Sequence, residues 1–328
     1  MLGLPCSLLL ICLAQMMRKV RSFSRRLLLK AKGNNRIDPL VSRLFEVWYD
    51  MPFAPAHYYS PLPDIRSLKQ NLPRWYKEDT SPGIDWNLQE QLELIEYLKP
   101  YASEVDSLPP FLQVTQDGYG PGYGEIEALL LYMILRHVKP SRVVEVGSGV
   151  STFYTLTALE TNREKDNVVS NLTCVEPYPN DKLRALVSER NVGLREYQVQ
   201  DAGFEIFQEL SANDVLFIDS SHVSKKDSDV DFLFLEVLPR LRKDVLIHIH
   251  DISFPMPALP LEHFLFDTYL FWNESALVRA FLTFNTAFRI VMCQSYLHHH
   301  QPEALKTLVP TYNPQQHFPS SLWLQRVT

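Results

Sequence analysis

Five apolar runs between residues 142 and 251 each carry an acid at or next to the carboxyl end. They are "RVVEV" from Arg142, "LTCVE" from Leu172, "LREYQVQD" from Leu194, "DVLFID" from Asp214 and "DVLIHIHD" from Asp244. The intervals between them have the apolar spacing of helices, including 151–161, 180–190 and "DVDFLFLEVLPRLR". Strands apolar on both faces and separated by helices predict a mostly parallel α/β sheet covered on both sides. Ligands in such sheets bind beyond the carboxyl ends of the strands, which is where the acids lie.

The rest of the chain frames that sheet. A helix "EIEALLLYMILRHV" is expected to stop ahead of Lys139-Pro140. After the fifth strand come a Pro-rich loop, a helix over 274–285, a strand "FRIVMCQ" and a last strand in "SSLWLQRV". Residues 121–328 thus form the expected catalytic domain. Residues 38–120, rich in proline and aromatics around one clear helix "NLQEQLELIEYLKPYA", read as a cap. Residues 1–37 hold eight basic side chains and no acid, which leaves 24 basic against 38 acidic residues elsewhere. An acidic body argues against nucleic acid as the main partner. Within 1–37, "LGLPCSLLLICLAQMM" is short for a membrane span, and its charges follow the apolar run instead of preceding it as in a secretory signal. The basic stretch after it suits peripheral contact with an anionic membrane; a start at Met16 or Met17 is the other reading. The four cysteines form no CxxC pair, so a reducing, cytoplasmic setting is expected.

The turn after the first strand, "EVGSGVST", holds Glu145, Gly147, Gly149, Ser151 and Thr152. Its glycines allow a sharp turn and close backbone approach to a ligand. A dinucleotide fingerprint would place a third glycine where Thr152 stands, and Glu145 would repel a pyrophosphate. An acid there suits a ligand carrying an ammonium or sulfonium. Glu176, ending the second strand, is placed to take ribose hydroxyls, and Asp201, in "VQDAG", to meet an adenine amino group.

With "VEP", "LFIDSSHVSKKDSDVDFLFLEVLPRL" and "LIHIHDISFP", this pattern resembles the class I S-adenosylmethionine-dependent methyltransferases. Within them it resembles the branch of cephalosporin-hydroxylase-like and macrolide-sugar O-methyltransferase-like proteins. The resemblance implies a Rossmann-like, seven-stranded sheet whose last hairpin is reversed, with S-adenosylmethionine over strands 1 to 4. It implies that Glu145, Gly147, Gly149, Ser151, Glu176, Asp201 and Asp219 surround that cofactor. The expected activity is methyl transfer to a hydroxyl of a small molecule or sugar. A metal-dependent hydroxylase-like enzyme and a non-catalytic cofactor-binding or assembly protein are the alternatives.

The chemistry itself falls to strands 4 and 5. In "IDSSH" and "HIHDI", His222 or His250 is a candidate general base near neutral pH. Asp219 and Asp251, with or without His250, are candidate ligands of a divalent cation such as magnesium. By the strand period, His248 and His250 share a face and Asp251 points to the other unless the strand has turned; His248 reads as a satisfied core histidine. "LHHH" at 297–300 reads as a solvated loop, and 263–272 as either core or substrate wall.

Overall fold

In the computed structural model the described residues are 60–328, apart from 120–121, 191 and 257–261. The segment 1–37, with its expected membrane contact, lies outside them. Among the described residues no helix is long and apolar enough to cross a membrane.

The chain divides into two compact units, 1–72 and 73–328. The described end of the first carries α1 (Ile65–Gln70), opened by Asp64, whose carboxylate accepts from the N–H groups of Arg66 and Ser67. The second unit begins inside the stretch read as a cap. Its first long helix, α2 (Leu88–Val105), buries Gln91, Ile95 and Leu98 and packs on α3 (Glu125–Val138). From Pro73 onward, therefore, the cap sequence shares the core of the sheet domain. Arg136, buried on α3, joins these helices through Glu104 of α2 and Asp166 of α4 (Val150–Asp166), at 2.7 Å each. α3 ends where expected, with Lys139 in the left-handed region ahead of Pro140.

The sheet has seven strands: β1 (Arg142–Val146), β2 (Asn171–Val175), β3 (Gly193–Arg195), β4 (Val215–Ile218), β5 (Leu246–Ile249), β6 (Phe288–Cys293) and β7 (Leu322–Arg326). Their order is β3-β2-β1-β4-β5-β7-β6, with β7 antiparallel to both neighbours and the other pairings parallel. This is the Rossmann-like arrangement with a reversed final hairpin. β4 and β5 are buried at every position because apolar clusters cover both faces of the sheet.

Three elements differ from their sequence expectation. β3 is a three-residue edge strand, since only Gly193 to Arg195 find partners on β2. The run 229–242 is not one helix: an α-turn (Asp229–Phe232), a π-turn (Leu233–Val237) and a 3-10 turn (Leu238–Arg240) succeed one another. Pro239 supplies no N–H there, so the regular ladder cannot continue. "LHHH" lies not in a loop but in α7 (Gln294–His300), reached directly from β6, and buried His298 bonds the Tyr312 hydroxyl through Nδ1 at 2.6 Å.

Candidate active site

β1 passes into α4 through Gly147–Gly149. The Gly147 N–H donates to the Val175 carbonyl (3.0 Å) and the Asp219 N–H to the Val146 carbonyl (2.8 Å), so the turn is clamped across the ends of β2 and β4. Gly147 has φ +79°, and an added Cβ would overlap the Asp219 carbonyl oxygen. Only glycine fits there. Glu176, just beyond β2, accepts from the N–H of Ser148 (3.1 Å) and of Tyr178 (2.8 Å), which orients its carboxylate at the rim of the turn.

Two cavities meet at this turn and share Gly147, Glu176, Tyr178, Asp219, Ser220 and Ser221. One, of about 540 Å³, runs between Glu176, Gln198–Gln200 and Lys225. The other, of about 440 Å³, is bounded by Tyr123, Ser148–Ser151, Asp219, His222, Asp251 and Trp272. The sequence-predicted residues separate here. Gly147, Gly149, Ser151, Glu176, Asp219, His222 and Asp251 line the joint cleft. Asp201 does not: it is exposed on a 3-10 turn (Val199–Ala202), and the wall beside it is made by Gln200. Glu145 lies behind the turn, fully buried, accepting from the Ser151 hydroxyl at 2.7 Å. Burial pushes its carboxyl up to about 7, against the hydrogen bonds of Ser151, Thr152 and Cys174.

The ends of β4 and β5 converge on a network of imidazoles and carboxylates. Asp251 has φ +55°, so the strand has already turned and its carboxylate swings back toward the histidines. His222 also has positive φ, +59°. Its carbonyl accepts from the N–H groups of Asn273 (3.0 Å) and Glu274 (3.2 Å), where α6 (Glu274–Leu282) begins. The Glu274 carboxylate in turn meets His222 Nδ1 at 2.8 Å. These contacts hold a backbone conformation that costs about 1 kcal/mol or more outside glycine, a kind of strain concentrated at functional sites. His222 Nε2 and His250 Nδ1 each lie 3.3 Å from Asp219 Oδ1 and 3.6 Å from Asp251 Oδ2. On its far side, His250 Nε2 is 3.2 Å from Glu127 Oε1, and Tyr123 stacks on the ring at 4.6 Å.

The charges follow from that geometry. Burial disfavours a charged His222, but hydrogen bonds to Asp219 and Glu274 outweigh it and raise the imidazole to about 10. His250 is likewise raised, against burial, by Asp219 and Glu127. Asp219 is held well below the usual carboxylate range, the His250 and His222 charges outweighing its burial. Asp251 moves the other way, pushed up mainly by burial. His248 is separate: it lies parallel on Phe217 at 4.2 Å, and burial lowers it to about 3, so it is a neutral core imidazole.

A profile described as a methyltransferase domain matches residues 144–252, from β1 through the end of β5. An uncharacterised protein of Archaeoglobus fulgidus is 31% identical over 168 residues, covering 49% of this chain and 75% of that one. The chain belongs to the class I S-adenosylmethionine-dependent methyltransferases. Among solved structures, it is similar to the O-methyltransferase TomG of Streptomyces achromogenes in complex with SAM (13% identity, TM-score 0.41, 80% of this chain and 96% of that one). It is also similar to an O-methyltransferase of Bacillus cereus in complex with SAH (12%, 0.40, 80% and 97%).

The methyltransferase cleft suits that cofactor's chemistry. A fixed carboxylate, Glu176, faces the space where sugar hydroxyls would donate, and a backbone turn without side chains allows close approach. Magnesium on Asp219 and Asp251 does not fit. A small hard cation takes a near-octahedral oxygen shell, whereas the ring nitrogens of His222 and His250 crowd the space between these two carboxylates, 3.3 Å from Asp219 Oδ1 and 3.6 Å from Asp251 Oδ2. Sequence reasoning missed Glu127 and Glu274, the two acids behind the histidines. Glu127 did leave a signal, as an acid in the first turn of a helix whose next seven residues are all apolar. Glu274 left none, because an acid at a helix start reads as an ordinary end-charge.

Proposed function

We propose that this methyltransferase moves the methyl group of S-adenosylmethionine to a hydroxyl oxygen of a small molecule or sugar. The observation that carries this reading is the buried carboxylate–imidazole network opening into the cleft directly beside the glycine turn. Glu176 would take the ribose hydroxyls, Gln200 the adenine end, and the amides of 147–149 the amino-acid end. The acceptor would occupy the cavity between Asp219, His222, Asp251 and Trp272, with its oxygen in line behind the methyl carbon. As the new O–CH₃ bond forms, the C–S bond breaks and its electron pair returns the sulfonium to a thioether.

The acceptor's proton has to go to a group able to receive it. His222 and His250 are held cationic at neutral pH by their carboxylates, so neither is free to act as base. Asp251 remains. Its Oδ1 is fixed by the Ser320 hydroxyl at 3.0 Å, it faces the cleft, and its raised basicity suits proton capture. His222 and His250 orient it and balance its charge.

The reading is tested by incubating the purified chain with S-adenosylmethionine and a panel of hydroxylated acceptors. Mass spectrometry then follows S-adenosylhomocysteine and the methylated product. Asp251→Asn is expected to lose about 10²–10⁴-fold in kcat, the usual worth of a positioned base, with cofactor binding kept. An unchanged kcat in that variant would remove Asp251 from the proton's path, and N- or C-methylated products would contradict transfer to oxygen.

A further inference from the structure

Phe284 stands in the turn between α6 and β6 with φ +58°. A left-handed residue just past a helix is ordinarily Gly or Asn, because a bulky side chain is strained there. Burial of the ring does not offset that strain, since the residue is 82% exposed. Its N–H donates to the Gly83 carbonyl at 2.8 Å, which holds the backbone in place. The ring lies so close over Gly83 that a Cβ there would fall 2.8 Å from Cε1. The fold thus fixes an apolar ring in solvent, at a position where Asn would serve the turn better.

Beside the ring lies a hollow of about 410 Å³, between the stretch 83–90 and β6. Ile84, Leu282, Phe288 and Ile290 give it an apolar floor, and Glu90 and Arg289 stand on its wall. These two opposite charges are about half exposed and only loosely joined, 3.6 Å apart. β6 is the last strand of the sheet and pairs with β7 alone. An edge strand beside an exposed apolar feature favours association. None of the residues lining the cofactor cleft lines this hollow.

Ring, hollow and both charges occupy one patch. A two-fold axis through such a patch sets each feature opposite its complement, because every contact it makes occurs twice with the roles exchanged. A dissimilar partner would call for only one half of the set. We propose that this face joins two copies of the chain in a two-fold dimer. The Phe284 ring of each copy enters the hollow of the other, and Arg289 of each stands opposite Glu90 of the other. This interface is independent of the acceptor reading above.

The test is sedimentation velocity of the full chain over a range of concentrations, with circular dichroism on the same samples to verify the fold. The wild type should pass from monomer to dimer and no further. Phe284→Asn suits the left-handed turn, so it should keep the fold while weakening the dimer at least about a hundredfold, since two rings leave the interface. Arg289→Glu should weaken it about tenfold, and adding Glu90→Arg in the same chain should restore it. Within one copy that exposed pair contributes little to stability, so folding should not follow these changes. The proposal is overturned by a wild type that stays monomeric up to about 100 µM, where a micromolar dissociation constant leaves mostly dimer. It is equally overturned by a dimer that Phe284→Asn leaves intact, which would use another face, or by a charge-exchanged variant that does not recover.

Discussion

Glu145 shows how one buried group ties the glycine turn to pH. Burial pushes its carboxyl up to about 7 in the folded chain against an ordinary 4.5, opposed by the hydrogen bonds it accepts from Ser151 and Cys174. Ionising it therefore opposes folding. Its full contribution is present below about pH 4.5 and is lost as pH rises toward and past 7, amounting to at most about 3 kcal/mol. Glu145→Gln, which cannot ionise, should gain on the wild type in thermal denaturation as pH is raised from 5 to 8. A difference that does not change with pH would show that the carboxyl is not enclosed as described. At Gly147 the constraint is steric. Gly147→Ala adds a Cβ against the Asp219 carbonyl at positive φ and should cost about 1–3 kcal/mol of stability. It should also weaken S-adenosylmethionine binding, whereas equal stability in chemical denaturation would contradict the clamped turn.

At the scale of elements, α2 decides whether the stretch before the glycine turn is a lid or part of the body. Leu98 is fully buried within the same apolar cluster as α3 and the sheet. Leu98→Ala should cost about 2–5 kcal/mol in global unfolding; a lid helix would lose far less, so a small effect would separate α2 from the core. Elements were legible from sequence where apolar periodicity was long. The helix 125–138 and the strands β1, β2, β4 and β5 stand where their apolar runs end. What escaped was set by tertiary partners. β3 is cut short by its edge position, the run 229–240 leaves α geometry at Leu233 and passes through a π-turn to the 3-10 turn that holds Pro239, and α7 is too short to display a helical period. Within the site, strand-end position pointed to Glu176, Asp219, His250 and Asp251. It could not tell that Asp201 would stay exposed while Gln200 took its place on the wall. Nor could it show that Glu127 and Glu274, 147 positions apart in the chain, would close on two histidines.

For the whole molecule, the central claim is that the cleft over the ends of β1, β2 and β4 holds S-adenosylmethionine. It rests on the parallel half of the sheet, where the glycine turn and Glu176 meet across neighbouring strands. The most direct measurement is calorimetric titration of the purified chain with S-adenosylmethionine and S-adenosylhomocysteine, repeated on Glu176→Ala. The account predicts one site per chain, with binding weakened at least about tenfold in the variant, as for loss of hydrogen bonds to a charged group worth about 1.5–3 kcal/mol. A folded wild-type chain that binds neither compound, or a Glu176→Ala variant that binds both equally well, would contradict it.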